Sequence, residues 1–356
     1  MSIAELLEGK RVVICAGAGG VGKTTTAAAI ALGMAARGSK VAVVTIDPAR
    51  RLASALGLGE LDNQPRLIDP ARLAPLELEG ELWAMMLDPK RTFDELIDAV
   101  APSAQRAQEI KGNRIYRQLS TAVAGSQEFT AIAKLHELTS TGEYDLVVLD
   151  TPPSRNALDF LDAPARLESF LEGGALKAFL RPTGMGMRVL ALSTAPVLAA
   201  LRRVTGIDLV ADLSTFFTLL GTMTESFDRR ARQVDRLLHS PTSGFLVISS
   251  PQPRPTEEAI WFRGTLVQGG LPFTGAVVNR VHPAVEPGPP APLPPALGAK
   301  VAQAAHEYAA LVARDATSIE RLQRALEGAP LLLVPELSGD VHDLSGLLQI
   351  REQLFR

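Results

Sequence analysis

The stretch VVICAGAGGVGKTTTAAAIALGMAARG, Val12 to Gly38, constrains the fold more than any other part of the chain. An apolar, β-branched run leads into a cluster of glycines, then Lys23-Thr24, then an alanine-rich run of helical character. Gly17-Ala-Gly-Gly-Val-Gly22-Lys23-Thr24 fits the pattern G-x-x-x-x-G-K-[ST]. Glycines let the backbone turn tightly and bring N–H groups close to phosphate oxygens. A helix that starts at the loop's end points the positive end of its dipole at the same anion. On this reading Gly17, Gly19, Gly20, Val21, Gly22, Lys23, Thr24 and Thr25 form the nucleotide-binding set. Lys23 neutralises the β and γ phosphates, and the Thr24 hydroxyl ligates Mg²⁺. The bland alternative is a glycine-rich turn without a ligand. The joint presence of strand, spacing, Lys-Thr and helix argues against it.

The rest of the chain repeats the strand–helix rhythm. Strands are expected at Arg11–Cys15, Val41–Thr45, Leu82–Leu87, Leu146–Leu149, Phe245–Ser249, Gly275–Val278 and Leu331–Val334. Most are continuous apolar runs, the mark of strands covered on both faces. Helices are expected at Thr24–Ala36, Pro255–Gln268 and Lys300–Leu326. The fold class is therefore α/β, a doubly wound, mostly parallel sheet of the P-loop NTPase type. The whole chain, 1–356, reads as one such domain. Helical patterns without a clear strand, about 101–140 and 164–240, read as insertions forming a subdomain on one edge of the sheet. Pro283 to Pro295, "PAVEPGPPAPLPP", reads as an exposed, extended loop.

Composition narrows the function classes. A net charge of −3 gives no electrostatic reason to expect a nucleic-acid partner. The single cysteine, Cys15, leaves no intramolecular disulfide and no cysteine-based zinc cluster, so no zinc is expected. The N-terminal "MSIAELLEGKR" lacks an apolar core of the secretory kind. The apolar run Val189–Leu201 is too short to cross a bilayer and contains Pro196. The expected location is cytoplasmic.

Two further segments carry carboxylates at strand ends. Asp47-Pro48-Ala49 follows "VVTI", and Asp150-Thr151-Pro152-Pro153 follows "LVVL". In open α/β sheets such positions sit on the rim where ligands bind. Asp150 is the candidate to hold Mg²⁺, and Asp47 the candidate to orient and polarise the attacking water. The metal set is thus Thr24, Asp47 and Asp150, and the catalytic set Asp47 and Lys23. Taken singly, each aspartate reads equally well as a cap or turn residue.

Together the loop, D-P-A and D-T-P-P resemble the ArsA-type ATPases, which include arsenite-pump ATPases and the ATPase that delivers tail-anchored membrane proteins. The resemblance implies ATP and Mg²⁺ as ligands, and a dimer, either with itself or with a paralogous subunit. It implies that Asn279, at the end of "GAVVN", reads adenine, with Pro335 and Glu336 flanking the base. It also implies that nucleotide state drives binding of a hydrophobic client helix or of a membrane permease.

Two departures qualify this. The family's second loop residue is a lysine that reaches the partner's nucleotide, and here it is Ala18. Arg50, Arg51 or Arg155 are the candidate substitutes; slow hydrolysis, or a lysine from a paralogous partner, are the other options. The pump's several metalloid-binding cysteines and the targeting factor's C-x-x-C pair are both missing. Met185, Met187, Phe216, Phe217 and Met223 fit an ordinary helical core, or an adaptable apolar groove created by dimer closure.

Overall fold

The computed structural model describes residues 1–46, 51–114, 116–117, 126–151, 216, 218–219, 221–285, 293–337, 339 and 343–356. By their contacts they fall into two compact units.

The first unit spans Met1–Leu87, Leu138–Ala157 and Leu238–Arg356. Its eight strands are β1 Val12–Ala16, β2 Lys40–Thr45, β3 Arg66–Leu67, β4 Glu81–Met86, β5 Leu146–Asp150, β6 Ser243–Ser249, β7 Phe273–Val281 and β8 Leu331–Pro335. They form one sheet in the order β3-β4-β2-β5-β1-β6-β7-β8. Every pairing is parallel except β3 with β4. The expected strands agree with this to within a few residues at each end. The strand the sequence did not announce is β3, two exposed residues with no apolar run.

Strands β1, β5 and β6 are buried along their whole length, and β2 is buried from Val41 onward. That is what parallel strands covered on both faces require. One covering element is α2, Lys23–Ala36, which follows a short α1 at Ile3–Leu6. Of its apolar residues, Ala27 through Leu32 and Ala35 are buried. Small side chains suit a helix enclosed on several sides, because they let its neighbours approach closely. At Gly33 even a Cβ would overlap the ring of Phe355. Phe355 ends a C-terminal helix, Leu344–Phe355, whose Leu347, Ile350 and Leu354 join the same core.

Between β2 and β4 lies α3, Arg51–Ala55. After β6 comes a helix at Pro253–Gln268, and after β7 a long one at Pro295–Ala325. The latter starts at the last residue of the proline-rich segment, ahead of the expected Lys300, because proline's fixed φ and missing N–H suit the first turn. Residues 286–292 of that segment lie outside the described set.

The second unit spans Asp88–Glu137 and Leu158–Leu237. It begins ahead of the expected insertion, with α4 at Pro89–Val100. Asp88 Oδ1 caps this helix by accepting the Arg91 N–H at 2.9 Å. Leu96, Ile97 and Val100 fill its inner face. α5 follows at Ala104–Gly112 and α6 at Ser126–Ser140. α7 at Thr224–Leu238 buries Phe227, Ala231, Val234 and Leu238, one helical stripe. Phe216 and Met223 are buried as well, which favours the plain-core reading at those two positions. Met185, Met187, Phe217 and the run Val189–Leu201 lie outside the described residues. Among the described residues, no helix is long and apolar enough to cross a membrane. The helices of the first unit after β6 are α8 Pro253–Gln268, α9 Pro295–Ala325 and α10 Leu344–Phe355.

Gly80 stands where β4 enters the sheet. A Cβ there would overlap the backbone of Gly38 and Ser39 at the turn between α2 and β2. Backbone cannot rotate away as a side-chain tip can. Gly80→Ala is expected to cost about 1–3 kcal/mol, read as a lower urea midpoint at unchanged denaturant slope.

Candidate functional site

The described candidate residues gather at the carboxyl ends of β1, β5, β7 and β8. The loop 17–22 leaves β1 and passes straight into α2. Its tight path needs glycine at both ends. Gly17 has φ +154°, and a Cβ there would overlap the Ile248 carbonyl oxygen on β6. Gly22 has φ +92° and ψ 28°, serves as the N-cap of α2, and abuts the Asn279 side-chain amide. The loop is therefore wedged between β6, β7 and the first turn of α2.

Lys23 is 6% exposed. Its Nζ donates to the carbonyls of Gly17 at 3.0 Å and Ala18 at 2.8 Å, so the ammonium is folded back against its own loop. Ala18 is buried and packs with the apolar core, so position 18 contributes a carbonyl and no cation.

Thr24, in the first turn of α2, donates its hydroxyl to Asp150 Oδ2 at 2.7 Å. The Thr45 hydroxyl donates to the same oxygen at 2.8 Å. Thr45 and Asp150 are register partners at the ends of β2 and β5. Asp150 is fully buried. The hydroxyl and the carboxylate are hard oxygen donors side by side at a helix N-terminus, which suits a small hard cation such as Mg²⁺. Among the described residues, no group of three or more His, Cys, Asp or Glu side chains is arranged to hold a metal ion. Thr151 donates both N–H and Oγ1 to the Cys15 carbonyl, at 3.3 and 2.9 Å, and ties the chain after β5 to β1. Burial pushes the Cys15 thiol far above its ordinary range, and the Asp150 charge adds to this. The thiol is thus held un-ionised and is a poor ligand for thiophilic ions.

Asn279 is buried near the end of β7. Its Nδ2 donates to the Val21 carbonyl at 3.0 Å, and its Oδ1 accepts the Arg280 N–H at 3.0 Å. In this state the side chain braces the glycine loop. Pro335 pairs in register with Val281, and the Glu336 N–H donates to the Val281 carbonyl at 2.9 Å. Gly19, Gly20, Val21 and Thr25 belong to the same loop and first turn of α2, with Gly20 in the left-handed region at φ +79°. Arg51 is exposed at the start of α3. Asp47, Arg50, Pro152, Pro153 and Arg155 lie outside the described residues.

Sequence reasoning missed the part of Thr45. The available signal was a hydroxyl closing the apolar strand VAVVT beside a strand that ends in aspartate. It also missed His282, whose partners lie far along the chain.

A parallel α/β sheet with a glycine loop after its first strand, opening into a helix with Lys-Thr at its start, defines a P-loop NTPase-type domain. Comparison with known proteins narrows the class: residues 10–285 match the family model described as anion-transporting ATPase, and the chain belongs to that ArsA family. Among its relatives is the ATPase GET3 of Malassezia globosa, 31% identical over 161 residues, 45% of this chain and 44% of that protein. Another is the ATPase get3 of Aspergillus terreus, 29% identical over 164 residues, 45% of each chain. A third is the putative arsenical pump-driving ATPase 1 of Aquifex aeolicus, 23% identical over 275 residues, 77% of this chain and 64% of that protein. The chain thus spans about half the length of the first two and under two thirds of the third.

The Asn279 brace is open to test. Asn279→Asp removes the donor and sets a carboxylate against the Val21 carbonyl. The variant is expected to lose about 1–3 kcal/mol of stability in urea unfolding without any nucleotide present; an unchanged midpoint would show that the brace carries no stability.

Proposed function

We propose that the chain binds Mg-ATP in the loop after β1, hydrolyses it slowly, and acts as a dimeric switch whose nucleotide state governs binding of a hydrophobic client or a partner protein. The observation that carries this reading is the junction of Thr24 and Asp150, 2.7 Å apart beside the glycine loop.

Each residue has a task. The backbone N–H groups of 17–22 and the start of α2 meet the phosphate oxygens. Lys23 exchanges the carbonyls of Gly17 and Ala18 for the β and γ phosphates. Thr24 and Asp150 hold Mg²⁺, directly or through water. The metal, when bound, neutralises charge that develops on the transferring phosphoryl group. The task given to Asp47, orienting the attacking water, rests on the sequence alone.

Slow turnover follows from position 18. A cation supplied at the transition state is worth about 10³–10⁵ in rate in related hydrolases. Ala18, a methyl side chain, supplies none. The homodimer, or a pair with a paralogous subunit, is inferred from the family. The client reading draws on relatives that are GET3 ATPases; the rival, an energising subunit for an anion exporter with a membrane permease partner, draws on the family's description and on the Aquifex relative. The buried, un-ionised Cys15 weighs against a thiol-bound metalloid as the exported species. Nucleic acid has no place in this reading, and the location proposed remains cytoplasmic.

The test compares phosphate release and oligomer mass for the wild type, Lys23→Ala, Asp150→Asn and Ala18→Lys. The expected results are slow Mg-dependent release by the wild type and its loss in Lys23→Ala and Asp150→Asn. Ala18→Lys should raise the rate, and ATP should increase the dimer fraction relative to ADP. A wild-type rate equal to that of Lys23→Ala would remove hydrolysis from the account.

A further inference from the structure

The C-terminal helix α10 carries two adjacent stripes. Leu347, Ile350 and Leu354 belong to the core. Leu344, Leu348, Arg351 and Phe355 stand at i, i+4, i+7 and i+11, a second stripe along the same helix. Leu344, Leu348 and Phe355 are partly buried and pack against the core, so an arginine interrupts an otherwise apolar row. The first three positions of this row line a cleft of about 570 Å³ between α10 and the chain ahead of β4. Pro75, Leu76, Leu344 and Leu348 form its apolar wall, and Arg351 and Glu352 line it as well.

The two charges of the cleft are not alike. Glu352 is paired, since its Oε1 accepts from Arg356 at 2.7 Å. Arg351 has no such partner. Its Nε is shielded from solvent without a hydrogen bond, and no carboxylate pairs with its guanidinium among the described residues. The guanidinium carbon lies 5.9 Å from the centroid of the Phe355 ring, and that of Arg37, just after α2, lies 5.5 Å from the same centroid. Stacking on a ring leaves the in-plane N–H fork of a guanidinium unused. A donor withdrawn from water without an acceptor is unfavourable. The second arginine at the same ring adds positive charge and no acid.

We propose that this cleft binds a small amphipathic carboxylic acid, with the carboxylate on the Arg351 guanidinium and the aliphatic tail against Pro75, Leu76, Leu344 and Leu348. The planar fork of an arginine matches the two oxygens of a carboxylate, and that pairing is among the stronger hydrogen-bonded contacts. The apolar wall takes the tail out of water. The volume falls in the range of small-molecule sites, about 300–1,000 Å³. One loop and one helix supply the lining, which suits a free acid rather than a macromolecule. None of the lining residues belongs to the phosphate loop, and the inference does not rest on the nucleotide-binding reading.

The experiment titrates the full chain by calorimetry with three probes: sodium octanoate; octanamide, which keeps the tail without the charge; and acetate, which keeps the charge without the tail. Wild type should bind octanoate saturably, about ten- to a hundredfold tighter than octanamide, the worth of hydrogen bonds to a charged group. Acetate should show no saturable binding over the same range. Arg351→Gln should bring octanoate down to the octanamide level and leave octanamide unchanged. Arg37→Gln, which alters the other side chain on the Phe355 ring and lies outside the cleft lining, should bind octanoate as wild type does. Absence of saturable octanoate binding, equal binding of octanoate and octanamide by wild type, or an Arg351→Gln variant that still prefers the acid overturns the inference. A loss in Arg37→Gln as large as that in Arg351→Gln overturns it too, because surface charge alone would then carry the effect. The comparison of probes on wild type decides the matter even where Arg351→Gln fails to fold.

Discussion

One carboxylate oxygen organises the centre of this molecule. Asp150 Oδ2 receives hydroxyl hydrogens from Thr24 on α2 and from Thr45 on β2, and its own strand lies between β1 and β2. A buried ionised group is costly unless it is hydrogen-bonded. The two hydroxyls serve one oxygen of the carboxylate, and the same contacts fix the first turn of α2 relative to β2 and β5. With that turn fixed, the loop from β1 has little freedom. It is closed in by the Ile248 carbonyl at one end and by Asn279 at the other. The geometry that stabilises the carboxylate is thus the geometry that presents a hydroxyl, a carboxylate and a row of backbone N–H groups together.

Much of the sheet was legible because its strands are continuous apolar runs, and burial on both faces demands such runs. The glycine loop was legible because steric limits at Gly17 and Gly22 leave no other residue type at ease there. β3 was not, since two exposed residues at an antiparallel edge carry no periodic signal. The start of α9 at Pro295 was hidden by the prolines before it, which argue equally for a loop and for a first helical turn.

The side-chain junctions were less legible than the backbone. Thr45 reads as the last residue of a strand, and only the register of β2 on β5 brings it to Asp150. The contacts of His282 to Asp315 and Glu336 span 33 and 54 residues of sequence, and pattern reading is blind to such pairs. Asn279 was assigned to the base through the family resemblance, yet its amide nitrogen is on the loop carbonyl of Val21. Structural brace and base contact are compatible for an amide with a second N–H, so the two descriptions address different hydrogens.

Position 18 holds a buried alanine, and its backbone carbonyl accepts from Lys23 Nζ at 2.8 Å. The most direct test of the central claim is a crystal structure with Mg²⁺ and a non-hydrolysable ATP analogue. The account predicts the polyphosphate along the 17–22 amides, Lys23 Nζ moved from the Gly17 and Ala18 carbonyls onto phosphate, and the metal against Thr24 Oγ1. Nucleotide bound elsewhere, or a loop that stays empty with Lys23 still on its carbonyls, would contradict it.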